Sequence, residues 1–191
     1  EKLIYDNKKH ISIASLSEDA FNRTIVINGV SKTYAMTGWR IGYSAAPREI
    51  NKLMVNIQSH TTSNANAIAQ YAALAALEGK DDEIKLMVKE FERRKNYMVE
   101  SINNIDLLET LHPNGAFYVM VDISKIFGKE YNGKVIKGSM DFSKAILDKE
   151  KVAVIPGIAF GNDNYIRLSY ATSMENIEEG IRRIEKFIKS L

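Results

Sequence analysis

The sequence has no cysteine, which removes disulfide frameworks and thiolate chemistry and suits a reducing, cytoplasmic setting. It has almost no charge imbalance either. A formal net charge of +2 gives no general electrostatic attraction to nucleic acid. The cations around Lys89–Lys95 and at Arg182, Arg183 and Lys186 are interleaved with glutamates and read as solvated helix faces. No apolar run approaches a membrane span, and no signal peptide precedes the fold, so no membrane partner is indicated. His10, His60 and His112 lie far apart without ligand spacing, so metal catalysis is not indicated. Repeats and low-complexity linkers are missing as well. What remains is the balance of a soluble globular protein, 45% hydrophobic and 26% charged over 191 residues. The chain opens on Glu1 in sequence that already reads as structured, and is expected to be a piece of something longer.

"TIVINGVS" (24–31) is short and rich in β-branched residues and reads as a buried strand; "RIGYSAAP" (40–47) reads as a second strand. Pro47 then suits the first turn of a helix, with Glu49 near its positive end. The alanine-dense "SNANAIAQYAALAALEG" predicts a helix capped at Ser63 and stopped at Gly79. From Asp81 or Asp82 to about Ile105, apolar residues recur at helical spacing through Ile84, Met87, Val88, Phe91, Met98 and Ile102. Beyond it, two strands meet through His-Pro-Asn-Gly, and "SMDFSKAILDKE" reads as a helix. "VAVIPG" and "YIRLSYA" read as strands, and a terminal helix carries Ile177, Ile181, Ile184 and Ile188 on one stripe. The expected division is 1–79, a connecting helix over 80–105, and a compact α+β domain over 106–191.

Lys32 and Arg40 pose the chemical question. They could be two surface cations flanking a hairpin. They could also serve one ligand: an amine able to form a Schiff base with a carbonyl, and a guanidinium suited to a phosphate. Gly38 and Gly42 would let the backbone approach closely. Spacing leaves both readings open.

The residues themselves go further. "SKTYAMTGWRIGY" (31–43) resembles the cofactor-lysine segment of fold-type I pyridoxal-phosphate aminotransferases, the aspartate aminotransferase-like class I/II family. The resemblance implies that Lys32 is the Schiff-base lysine and Arg40 a phosphate ligand. Some relatives carry a hydroxyl three residues before the lysine; here that position is Gly29, and Ser31 is the substitute expected to bind cofactor. "NYIRLSYATS" (164–173) resembles the strand that presents an arginine to the substrate's α-carboxylate, here Arg167. Period-two alternation puts Ile166, Leu168 and Tyr170 on one face and Tyr165, Arg167 and Ser169 on the other. Without the resemblance, a structural salt bridge to a helix is the favoured reading of Arg167. Phe117 and Phe160 read as packing residues.

The resemblance runs the length of the chain and implies an α/β fold: the small α+β C-terminal domain of the aspartate aminotransferase fold, after a remnant of the large cofactor domain. It also implies pyridoxal 5'-phosphate as cofactor, amino acid and 2-oxo acid substrates (aspartate favoured), and a homodimer. An aromatic or alanine aminotransferase, a carbon–sulfur lyase, or a non-catalytic interaction fragment are the alternatives. The family's Asp-Glu-x-Tyr pattern would precede "EKLIYD", so this chain alone is expected to be inactive. Its first part is expected to be displaced, disordered or self-associated.

Overall fold

The computed structural model describes residues 1–191. The chain divides into two compact units, Glu1–Met87 and Val88–Leu191.

In the first unit, helix α1 (Glu18–Arg23) begins where the Ser17 hydroxyl accepts the Ala20 N–H at 3.1 Å. Strands β1 (Val26–Gly29) and β2 (Gly42–Ala45) pair antiparallel, Val26 opposite Ala45 and Gly29 opposite Gly42. The two glycines face each other for a steric reason. A Cβ on Gly29 would lie 3.3 Å from the Ile41 carbonyl oxygen, and one on Gly42 3.2 Å from that of Asn28. A hydroxyl-bearing residue at position 29 would therefore press on the facing strand. Helix α2 (Arg48–Thr61) follows Pro47, and helix α3 (Ala67–Glu78) ends at Gly79. The cap of α3 is Asn66, not Ser63: the Asn66 side chain accepts the Ala69 N–H, while Ser63 has a left-handed φ of 62°, in the loop between the helices. Pro47 and the alanine-dense run mark these helices in the sequence; the cap depends on which polar residue turns its oxygen inward.

Leu3, Tyr5, Val30, Ala69, Ala73 and Ile84 are buried in this unit, and the Lys2 ammonium meets Asp81 at 2.6 Å. Many larger apolar residues are not buried. Ile27 is 81% exposed, Tyr71 74% and Ile68 71%. Both strands are formed, yet each keeps an open edge and the face carrying Ile27 is uncovered.

Helix α4 (Asp82–Asn103) contains the boundary between the units, which falls inside it at Met87–Val88. Lys95 corrects the expectation of a solvated basic face: it is fully buried, because the apolar stripe that also buries Met98, Val99 and Ile102 wraps far enough to include it.

The second unit is built on a four-stranded antiparallel sheet in the order β3–β4–β8–β7. Its members are β3 (Glu109–Thr110), β4 (Tyr118–Asp122), β7 (Ile155–Pro156) and β8 (Tyr165–Ser169). A small hairpin, β5 (Glu130–Tyr131) with β6 (Lys134–Val135), precedes helix α5 (Ser139–Glu150). Helix α6 (Met174–Ile188) starts where Ser173 accepts the Asn176 N–H, and buries Ile177, Ile181, Ile184 and Ile188 as its periodicity predicts. β3 is short, and the Asn103 amide at the end of α4 completes its bonding, accepting from Thr110 N at 2.8 Å and donating to Thr110 O at 3.1 Å. Val119, Val121, Ile166 and Leu168 point to the buried side of the sheet, and Phe142 and Phe187 meet edge to face at 5.5 Å between α5 and α6.

Two carboxylates on the surface of this unit are held far from their ordinary value near 4.5. Forked bonds from Arg93 and then Arg94 hold Glu90 down to about 2, and Arg182 and Arg183 do the same to Glu179. With folded values below the unfolded ones, these clusters add stability above about pH 4.5 and lose it as pH falls towards 2. An acid titration followed by circular dichroism should therefore show Glu90→Gln and Glu179→Gln variants with a flatter decline across that window. In urea, Ile166→Ala should cost about 2–5 kcal/mol. Ile27→Ala should stay within about 0.5 kcal/mol. An equal loss at both positions would mean that the Ile27 face is covered in solution.

Candidate active site

The connection from β1 to β2 carries three of the four residues singled out in the sequence. After the buried Val30, the chain makes one helical turn, with the Tyr34 N–H donating to Val30 O at 3.2 Å and the Ala35 N–H to Lys32 O at 3.3 Å. Val30 and Thr33 point inward, so Lys32 between them is carried on the outside, with Ser31 half-buried beside it. Lys2 braces the turn from behind, its ammonium 5.4 Å from the centre of the Tyr34 ring. A cleft of about 300 Å³ lies against Thr33, Tyr34 and Ala35 and the facing parts of α3 and α4; Lys32 and Arg40 do not line it.

The other end of the connection is a 3-10 turn, Thr37–Trp39, running into Arg40. Arg40 has φ 53° and ψ 45°, the left-handed region, and one guanidinium nitrogen donates to Thr37 O at 3.0 Å. Holding a residue with a Cβ there costs about 1–2 kcal/mol. Ala35 has the same φ of 53°. Strained backbone at two places in one exposed connection is the kind of observation from which function is inferred. Gly38 has nothing within 4 Å of where a Cβ would sit, so its backbone is open to an incoming group, whereas Gly42 is spent on the strand pair.

The donor set is one-sided. From Thr24 to Pro47 there is no aspartate or glutamate; the polar groups are Lys32, Arg40, the Asn28 amide, the Trp39 indole N–H, hydroxyls and backbone amides. An amine, a guanidinium and hydrogen-bond donors without a competing carboxylate fit a phosphorylated aldehyde, and so fit pyridoxal phosphate.

Arg167 lies in the second unit, on β8, opposite Met120 of β4 and Ile155 of β7. Strand alternation holds as expected: Ile166, Leu168 and Tyr170 are buried, Tyr165 and Arg167 are half-buried and Ser169 is exposed. What the Arg167 guanidinium meets is aromatic rather than a helix carboxylate. It lies 4.3 Å from the centre of the Tyr118 ring and 4.4 Å from that of Phe160. Two rings this close hold the guanidinium by cation–π contact, and its N–H fork suits a planar acceptor such as a carboxylate.

Tyr118 and Phe160 are the residues that sequence reasoning missed. Tyr118 is opposite Ser169, hence diagonal to Arg167 on the same face, and the strand register could have pointed to it. Phe160 is a packing residue with an unexpected partner: it is half exposed and packs on Arg167, not in the core. Phe117 does pack, stacked on Phe91 at 6.2 Å.

Comparison with known proteins agrees with this chemistry. The model of the family described as aminotransferase class I and II matches residues 1–184. The chain is 44% identical over 189 residues to the aspartate aminotransferase of Bacillus subtilis, covering 99% of this chain and 47% of that protein. A crystal structure of the aspartate aminotransferase of Rhizobium meliloti superposes with a TM-score of 0.95 at 41% identity, covering 98% of this chain and 47% of that one. The aromatic aminotransferase of Pyrococcus horikoshii gives 0.89 at 40% identity, covering 100% and 49%. The chain thus spans about half the length of the relatives it matches. Its residues, its mixed α/β architecture and these likenesses agree: the chain belongs to the aminotransferase class I and II family.

Proposed function

We propose that the protein to which this chain contributes is a pyridoxal-phosphate-dependent aminotransferase that moves an amino group between an amino acid and a 2-oxo acid, with aspartate favoured. The observation that carries this reading is the Ser31–Arg40 connection, which combines an outward lysine, a strained arginine and no carboxylate. Pyridoxal phosphate, when bound, supplies an aldehyde for covalent attachment and a ring that stabilises negative charge at the substrate Cα.

The rest falls to the chain's own residues. Lys32 would provide the amine that holds the aldehyde, and its Nζ, when free, would be the general base that takes up and gives back the substrate's proton. Arg40, Ser31 and the exposed amides near Gly38 hold the phosphate. Arg167 binds the α-carboxylate that both amino acid and 2-oxo acid carry. That shared group makes the same arginine contact available to both partners of a two-stage exchange.

Because the chain spans about half the length of its relatives, we propose that turnover belongs to the longer protein and not to these 191 residues alone. A homodimer in the cytoplasm is the assembly and setting that go with this reading. A second reading, an enzyme for aromatic amino acids, is favoured by the likeness to the Pyrococcus aromatic aminotransferase. A panel of amino-acid donors offered to the longer protein with 2-oxoglutarate separates the two.

Added to the 191-residue chain, pyridoxal phosphate should give an absorbance change that Lys32→Ala abolishes; persistence in that variant would remove Lys32 from its role. Arg40→Gly should weaken this binding about 10- to 150-fold, the loss expected for hydrogen bonds to a charged group. The same change should raise stability by up to about 1 kcal/mol by relieving the left-handed backbone. The sole tryptophan, Trp39, gives a fluorescence signal beside the substitution. In the longer protein, Arg167→Lys should lower kcat/KM for aspartate about 10- to 150-fold. An unchanged kcat/KM would refute the carboxylate role of Arg167.

A further inference from the structure

The connection between β7 and β8 carries Phe160, and its anchoring is unusual. These strands pair directly, Pro156 opposite Ile166, but the connection between them is too long for a tight hairpin turn. Internal bonds give it shape: Asn162 N–H donates to Gly157 O and Gly161 N–H to Ile158 O, each at 3.1 Å. Those bonds make a compact loop without fixing where it sits. The Ile123 N–H donates to Asn164 O at 2.9 Å just beyond the loop, and the loop itself is fixed from the start of α5.

Ser139, the first residue of α5, has no exposed surface. Its hydroxyl donates to Asp163 Oδ1 at 2.6 Å and accepts the Ile158 N–H at 3.2 Å, and its own N–H donates to the same Asp163 oxygen at 2.9 Å. One hydroxyl thus bridges the first turn of the loop and its far end. The surroundings allow little slack. A Cβ on Gly138 would run into the Asp163 carboxylate, and one on Gly157 into the carbonyls of Asn162 and Tyr165. Phe160 lies between the two anchored points, with its ring 4.4 Å from the Arg167 guanidinium.

We infer that Asp163, acting through the Ser139 hydroxyl, is a positioning residue: the pair locks the Gly157–Asp163 loop so that Phe160 covers one face of Arg167 and aims its N–H edge. This rests on the reading of Arg167 as the carboxylate contact and deepens it, because a guanidinium held by two rings is pre-oriented for a two-pronged acceptor. The Asp163 carboxyl is held below the ordinary value first by the Ser139 hydroxyl and then by the Ser139 N–H, which agrees with a charged latch at neutral pH. Capping of α5 alone would need only the Ser139 N–H; the hydroxyl link to Ile158 serves the loop.

The test is a nitrogen–proton NMR spectrum of the 191-residue chain, reading the Arg167 Nε–Hε signal, which the two flanking rings should displace from the position of free arginine. Ser139→Ala keeps the N–H contact to Asp163 but frees Ile158. It should lose much of that displacement while the α5 amide signals stay in place. Asp163→Ala should lose it too, and Asp163→Asn, whose amide oxygen still accepts both bonds, should retain it. An Arg167 signal unmoved by Ser139→Ala would overturn the inference, as would its loss in Asp163→Asn. If Asp163→Ala proves unfolded, the Ser139→Ala spectrum decides. No ligand enters the measurement, so its outcome is separate from that of the Arg167→Lys kinetics.

Discussion

The second unit depends on one constraint: β4 and β8 must bury a single face between them. The register Val119 with Leu168 and Val121 with Ile166 puts four branched aliphatic side chains on the helix side of the sheet. Because strand alternation has a period of two, a slip by one residue would place Arg167 in the core and Ile166 in solvent. The burial that holds the sheet together therefore also decides that Arg167 faces outward, diagonal to Tyr118. Stability and site geometry are here one requirement. α6 adds its isoleucine stripe to the same core, and the Asn103 amide finishes the short edge strand that backbone pairing leaves incomplete.

The first unit is organised differently. Its buried residues include Leu3, Tyr5, Ala69, Ala73 and Ile84 as well as Val30 and Thr33 of the turn that carries Lys32, and much of its remaining apolar surface is open. Arg40 and Ala35 keep left-handed backbone in the same short stretch, so local strain and local anchoring lie side by side.

Much of this was legible in the sequence where pattern and physics coincide. The isoleucine stripe of α6, the alternation of β8 and the proline before α2 each state a geometric requirement that only one local structure meets. The family was legible in the Ser-Lys segment because its residue types are specific. Other features depend on partners distant in the chain. Burial of Lys95 follows from how widely the apolar face of α4 is covered, which periodicity does not report. Asn66 rather than Ser63 caps α3 because the intervening residues form a bend of their own. The rings on Arg167 come from a neighbouring strand and from a loop, and only the first could be inferred from strand register.

The sheet order has a consequence for how the chain is made. β8 sits between β4 and β7, and its partner β4 precedes it by the whole of the β5–β6 hairpin, α5 and β7. Such pairing is non-local, and the entropy of closing that long loop is lost before any contact rewards it. During synthesis, β3 and β4 emerge with an unfilled edge and stay so until Tyr165–Ser169 and the α6 residues have left the ribosome. The arginine that this reading assigns to substrate binding lies on the strand that completes the core, so acquisition of the site and completion of the fold are a single late event.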